Sequence, residues 1–293
     1  MTTISFSLGG DLPVHRLGFG AMRLAVGPAD GEPRGRESGI AVLRRAVELG
    51  VNHIDTAGFY GRGQVLANEQ IRAALAPYRS DLVIATKVGP LFGPDLPRGS
   101  QAAPEQLRGL VELELRALGL DRLDLVYLRV GGVTGPGGES IAERYQALAE
   151  LREEGLIRHL GVSNVDAAQL AEARAVAPVV AVQNLHSAGG SDHGAGAGAD
   201  NDAILAECER AGIAFVPFFP LGGGQSPIAT ERLAKVAARL GATAAQISLA
   251  ALLASSPVTL AIPGTGSIQH LEENSAAAEL VLAPEDLAEL TQA

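Results

Sequence analysis

Lysine is nearly missing from this chain. Of 23 basic residues only Lys87 and Lys235 are lysines, so a position that keeps one invites a reason. Cysteine is scarcer still. Cys208 stands alone, which rules out a disulfide within the chain, and its setting AILAECERAG reads as an inert core or interface thiol. Basic charge is also short, 23 residues against 33 acidic ones, and a net charge of -10 argues against nucleic acid as a partner. No apolar run approaches the roughly 18 residues of a membrane span, and MTTISFSLGG lacks the basic start of a signal peptide. A reducing cytoplasm is the expected setting. There is no G-x-G-x-x-G opening a helix, no G-x-x-x-x-G-K-S/T and no H-E-x-x-H, and the six histidines lack metal-ligand spacing. A Rossmann enzyme, a P-loop enzyme, a zinc hydrolase and a metal site are therefore not expected.

What is present is alternation. Short apolar runs occur at LGFGAM, NHIDTA, LVIATK, LDLVYL, HLGVSN, VVAVQN, IAFVPFF and TLAIPG. Most are followed by an amphipathic stretch, such as SGIAVLRRAVELG, PEQLRGLVELELRALGL or ERYQALAELREEG. Strand signals alternating with helix signals predict parallel βα units. Eight of them predict a (β/α)8 TIM barrel, with residues 1–293 as a single domain. ISFS and VHRL, ahead of the first unit, predict an N-terminal β-hairpin plugging the barrel bottom. EDLAEL near the end reads as a covering helix. The Gly-rich stretches Val130–Ser140 and Ser187–Asp200 read as loops on the active-site face, the second of them poorly ordered.

Active sites of such barrels gather residues from the C-terminal ends of several strands. Here those ends supply Asp55 with Tyr60 in the next loop, then Lys87, Arg129, Ser163 with Asn164, Gln183, and Phe218 with Phe219. A carboxylate at the end of an apolar strand needs a partner, and Lys87 is the evident counter-charge. A cation beside a phenol favours the phenolate. The expected arrangement is therefore that Asp55 holds Lys87, and Lys87 lowers the Tyr60 pKa toward use as a general acid. The bland reading is a structural ion pair and a packed tyrosine. Met22, Phe59, Phe92 and Phe219 read as the substrate wall, with Arg23 equally well a surface residue. His53 reads as a hydrogen-bonded core histidine, and His186 and His193 as solvated.

Taken together, NHIDTAGFYG, IATKVG, GVSN, VQN, VPFFPLGGG and AIPGTGSIQHLEEN resemble the aldo-keto reductases over nearly the whole chain, and within them the bacterial pyridoxal reductase branch. The resemblance implies an NADPH-dependent oxidoreductase, with NADH possible, that reduces an aldehyde or ketone, pyridoxal among them, to an alcohol. Asp55, Tyr60 and Lys87 match three members of the catalytic tetrad. Arg129 stands where the family usually has histidine, replacing a neutral donor by a permanently charged fork. By the same resemblance Ser163, Asn164 and Gln183 hold the nicotinamide carboxamide, and Phe218 stacks on the ring. Gly20, Leu221, Gly222, Gly223, Gly264, Thr265, Gly266, Ser267, His270, Glu273 and Asn274 line the rest of the cofactor's path. Two rivals stay open: a cofactor-binding sensor of the same fold with little turnover, and a barrel enzyme of another class such as an isomerase. The sequence leaves the oligomeric state open.

Overall fold

The computed structural model describes residues 5–26, 35–62, 65–93, 95–97, 99–132, 135–187, 201–221 and 231–291. Gly222, Gly223, His193 and all but the first residue of the Ser187–Asp200 stretch lie outside them. The chain opens with the expected hairpin, β1 (Ser5–Leu8) against β2 (Leu12–His15), antiparallel. Gly9 and Gly10 turn it with φ of +60° and +86°, a region where a Cβ is unwelcome. Leu8, Leu12 and Val14 bury against Val83, Ala85, Leu125 and Tyr127, which makes the hairpin a plug for the interior of the main sheet.

That sheet has seven parallel strands. In spatial order they are β3 (Phe19–Gly20), β4 (His53–Asp55), β7 (Val83–Val88), β8 (Leu123–Arg129), β9 (Ile157–Ser163), β10 (Ala181–Gln183) and β11 (Ala214–Phe215). Between β4 and β7 a small ribbon of β5 (Gly61–Arg62) and β6 (Val65–Leu66) carries the chain out and back. The eighth run, TLAIPG, forms no regular strand. It closes the ring through single bridges, Thr259 to Phe215 and Ala261 to Leu17. Pro263 follows directly; it has no N–H to give, but its carbonyl still accepts from the Gly20 N–H at 3.3 Å. Arg16 fastens this seam. Its buried guanidinium donates to the carbonyls of Leu253, Ser256 and Thr259.

Helices cover the outside where the periodicity places them. They are α2 (Arg36–Glu48), α3 (Ala67–Leu75), α4 (Pro104–Leu118), α5 (Ala142–Glu153), α6 (Ala167–Val176), α7 (Asn201–Ala211), α9 (Ala244–Ser255) and α10 (Ile268–Ala276). A short α1 (Met22–Ala25) follows β3. The sequence reading passed over α8 (Glu231–Leu240), which packs on α9 and on the final α11 (Pro284–Thr291) through Leu233, Val236, Ile247 and Leu287. The tail is thus the covering helix expected of it, and Lys235 is a surface lysine paired with Glu289. Among the described residues no single helix is long and apolar enough to cross a membrane.

Candidate active site

Strand register decides which side chains meet. Asp55 pairs with Ala85, so Lys87, two residues further on, faces the same way. Lys87 pairs with Tyr127, Arg129 with Ser163, and Ser163 with Gln183. Asp55, Lys87, Arg129, Ser163 and Gln183 therefore share the inward face, each strand carrying its polar residue at the C-terminal rim. Below them the interior is filled. Tyr127 lies so close over Gly161 that a Cβ there would come within 2.6 Å of its ring.

Lys87 Nζ donates to Asp55 Oδ1 at 2.5 Å and to the Thr56 carbonyl at 3.0 Å, and both charged side chains are 3% exposed. Gln183 Nε2 donates to the other Asp55 oxygen at 2.7 Å. The ammonium stands 4.9 Å from the centroid of the Tyr60 ring. Burial pulls the Lys87 pKa down, but Asp55 and the Tyr60 phenol more than offset it, and the net shift is upward. Tyr60 departs from expectation. Its pKa is raised, because burial outweighs the opposing pull of Lys87 and the smaller one of Arg129. The phenol keeps its proton at neutral pH.

Arg129 is the last residue of β8. Its guanidinium lies 4.9 Å over the Phe218 ring, donates from Nη2 to the Gly132 carbonyl at 3.1 Å and from Nη1 to Ser163 Oγ at 3.3 Å. Burial brings its pKa down to about 10. Ser163 and Asn164 are almost inaccessible. Asn164 Nδ2 donates to the carbonyls of Val130, Gly132 and Gly135, which holds the loop after β8, and its backbone takes a φ of +62° to do so.

These residues open onto a cavity of about 1030 Å³. Asp55, Tyr60, Lys87, Arg129 and Gln183 line it, together with Gly264, Thr265, Gly266, Ser267 and His270. Gly20, Met22, Phe218 and Leu221 lie along it, with Phe59, Phe92 and Phe219 among its aromatics. Phe59 meets Tyr60 edge-on at 5.2 Å and Phe92 at 5.3 Å. Gly20 and Gly264 bring two chain segments together: a Cβ on Gly264 would lie 2.5 Å from the Gly20 carbonyl oxygen. Ser267 caps α10 by accepting from the His270 N–H, and Thr265 Oγ1 accepts from the Ser267 N–H. Ser163, Asn164, Glu273 and Asn274 are not among the lining residues. Glu273 accepts from Gln269 on the outside of α10, and Asn274 is buried.

Pro90, Leu91, Gln101 and Ile262 line the cavity although the sequence reading did not place them there, and Arg23, left open between pocket and surface, lines it too. For Arg23 the signal was its place directly after β3. For Pro90 and Leu91 it was the loop after Lys87. Two histidine readings need correction. His53 is fully buried, but neither ring nitrogen has a hydrogen-bond partner, and burial lowers its pKa to about 4, which keeps it neutral. His186 is buried edge-on against Phe215 rather than solvated. Cys208 is buried, with burial pushing the thiol up to about 12, as an inert core thiol should be. Among the described residues no group of His, Cys, Asp and Glu could hold a metal ion.

The aldo/keto reductase family model matches residues 16–293. The chain belongs to that family. Among its relatives, pyridoxine 4-dehydrogenase of Escherichia coli is 47% identical over 99% of this chain and 98% of its own length. An uncharacterised oxidoreductase of Schizosaccharomyces pombe is 39% identical over 97% and 88%. Among solved structures, the thermostable aldo-keto reductase Tm1743 with the inhibitor epalrestat superposes at a TM-score of 0.79, with 31% identity over 98% of both chains. An aldo-keto reductase of Klebsiella pneumoniae in complex with NADPH gives 0.76 and 27% identity, over 99% of this chain and 94% of that one. This aldo-keto reductase is thus an enzyme of the oxidoreductase class, and the barrel closed at the Arg16 seam is the family's fold.

Proposed function

We propose that this enzyme reduces aldehydes to alcohols with NADPH, with pyridoxal as the preferred substrate and pyridoxine as product, in a reducing cytoplasm. The observation that carries the reading is the neutral Tyr60 phenol against the Lys87 ammonium, itself anchored on Asp55, in the lining of a large cavity.

The cavity suits the cofactor on chemical grounds. Among the described residues the charged side chains lining it are Arg23, Lys87 and Arg129 against Asp55, an electropositive lining in a chain of net charge -10. The capped start of α10 supplies N–H donors suited to a phosphate. Gly264, Thr265, Ser267 and His270 would hold the adenosine end. Phe218 and Gln183 would hold the nicotinamide end, where the bound cofactor supplies a hydride. Tyr60 keeps its proton until a carbonyl oxygen gains charge, then donates it. Lys87 favours the resulting phenolate. Asp55 fixes Lys87, and Gln183 fixes Asp55. Arg129 points its fork at the rim and stabilises the developing oxygen anion. Phe59 and Phe219 line the cavity around it, and Phe92, 71% exposed, stands at its mouth against Phe59.

The reading is tested with purified enzyme, NADPH or NADH, and a panel of carbonyls, followed by nicotinamide absorbance. NADPH oxidation with pyridoxal and tighter fluorescence titration by NADPH than NADH are expected. No turnover with any carbonyl despite cofactor binding would favour a sensor instead.

Arg129 should bias the substrate. A permanent cation at the rim favours a carbonyl with an anionic oxygen beside it, such as the ionised ring hydroxyl of pyridoxal, because a guanidinium can hold two oxygens at once. Arg129→His should shift the kcat/KM ratio toward neutral aromatic aldehydes by about tenfold or more, the worth of one charge-assisted hydrogen bond. It should also raise the apparent pKa of the acid group, since Arg129 lowers that of Tyr60. An unchanged ratio together with an unchanged pH profile would remove Arg129 from substrate orientation.

A further inference from the structure

Directly behind the Asp55–Lys87 pair, on the outer face of the barrel wall, sits a second buried carboxylate. Glu114 faces the sheet from α4, 6% exposed, and does not line the cavity. Its Oε2 accepts from Thr86 Oγ1 at 2.6 Å and from Asn68 Nδ2 at 2.8 Å, and its Oε1 packs against Gly58. Asn68 Oδ1 in turn accepts from Thr56 Oγ1 at 2.8 Å. Thr86 precedes Lys87 and Thr56 follows Asp55. Strand alternation turns these threonines outward where the lysine and the aspartate turn inward. Gly58 lies in the short loop that leads to Tyr60. One carboxylate is thus bonded to, packed on, or one bridge away from each of the three segments that carry Asp55, Tyr60 and Lys87.

Burial pushes the Glu114 carboxyl pKa up, and the bonds from Thr86 and Asn68 oppose it. A helix that merely packs on a sheet has no use for such a group. An apolar side chain of similar size would hold the contact at no desolvation cost. The contact with the loop is also close. A Cβ on Gly58 would fall 1.8 Å from Glu114 Oε1, so a side chain at 58 cannot coexist with the carboxylate where it stands.

We infer that Glu114 is a positioning residue of the active site: it holds residues 56–60 against the barrel wall from outside, so that the Tyr60 phenol stays on the Lys87 ammonium. This rests on the reading of Tyr60 as proton donor. Glu114→Gln keeps the size, but it removes the charge that Thr86 and Asn68 donate to, and it sets an NH2 either against those donors or against the Gly58 loop. The loop should shift by a fraction of an ångström to an ångström, and a misplacement of that order costs up to roughly 10²-fold in rate.

The experiment is a double-mutant cycle with a backbone readout. Glu114→Gln should lower kcat by about 10- to 100-fold while leaving the NADPH dissociation constant within about twofold. Hydrogen exchange in the segment around residues 56–60 should speed up. In the Tyr60→Phe background Glu114→Gln should cost almost nothing further, because the effect runs through a phenol no longer there. Thr86→Val, which keeps shape and loses the hydroxyl, should reproduce part of the kcat loss, and Thr86→Ser should restore activity. If Glu114→Gln does not fold, the Thr86 pair decides, and equal activity of the valine and serine variants overturns the proposal. Unchanged kcat in Glu114→Gln, or an undiminished loss in the Tyr60→Phe background, also overturns it while leaving the role of Tyr60 standing. Near-normal turnover by Tyr60→Phe itself would sink the Tyr60 reading, and the role of Glu114 with it.

Discussion

Tyr60→Phe should bind NADPH as tightly as the parent enzyme and reduce carbonyls roughly two to four orders of magnitude more slowly, the usual worth of a positioned proton donor. The substitution removes one oxygen. The ring that Phe59 meets edge-on is kept, so the cavity wall and the fold should be unaffected. What disappears is the proton. Burial holds the phenol neutral, with Lys87 pulling the other way, and that balance suits a group that must carry a proton at neutral pH yet release it when the carbonyl oxygen becomes basic. The loss should fall on kcat, because substrate affinity does not depend on a transfer made only in the transition state. Single-turnover reduction of pyridoxal by both proteins, with fluorescence titration of NADPH, separates the two quantities. Turnover within a few-fold of the parent would falsify the assignment.

Lys87→Met should be the most destabilising single change in the site. Breaking a buried ion pair from one side typically costs about 3–5 kcal/mol, because the remaining charge has lost its partner and cannot reach water. For a protein of this size each kcal/mol lowers Tm by about 2–4 °C, so a drop of roughly 6–20 °C is expected. Exposed pairs such as Arg108–Glu154 should give far less when broken. Asp55→Asn added to Lys87→Met should recover a good part of the loss, since an amide can still meet Gln183 without carrying charge. The pH dependence has a definite sign. The Lys87 pKa is raised on folding above its ordinary 10.5, so the pair's contribution is complete at neutral pH and fades only as pH climbs through the higher folded value. The stability gap between parent and Lys87→Met should therefore stay flat from neutral to moderately alkaline pH. A gap that shrinks well below the ordinary lysine range, or a Tm within 2 °C of the parent, would mean that Lys87 is not charged and paired as drawn.

Much of this site was legible because it depends on strand parity and on rare residues. A chain that uses arginine almost everywhere but keeps lysine at the end of an apolar strand signals a group whose pKa has to move, and parity set it beside Asp55. The aromatics at 59, 92 and 219 stood out for the same reason of scarcity. What failed was whatever depends on solvation or on a partner distant in sequence. The Tyr60 shift was assigned from its neighbours alone, and the sequence does not reveal how deeply the phenol is buried. His53 was given a hydrogen bond because most buried imidazoles have one, yet the surrounding plug is apolar. Glu114 was not singled out, since nothing local announces that Thr86, Asn68 and Gly58 will converge on it. The eighth run closes the ring as expected, though only through single bridges to Phe215 and Leu17.

The seam that closes the ring has a bearing on how the protein is made. Arg16 and the Thr259 carbonyl it grips are 243 residues apart. At about 5–20 residues per second a ribosome needs on the order of 12–50 seconds to pass from one to the other. Through that interval β3 has β4 on one side and nothing on the other, while a buried-type arginine waits for its three carbonyl acceptors. The growing sheet is an open-edged curl, the kind of surface that pairs readily with a neighbouring chain. Closure then comes almost at the end of synthesis and joins the most distant parts of the chain, which places this barrel among slow folders of high contact order. A lesion at the seam, such as Arg16→Ala, should therefore show itself first as aggregated product during expression, before any change in the chemistry of the few molecules that do close.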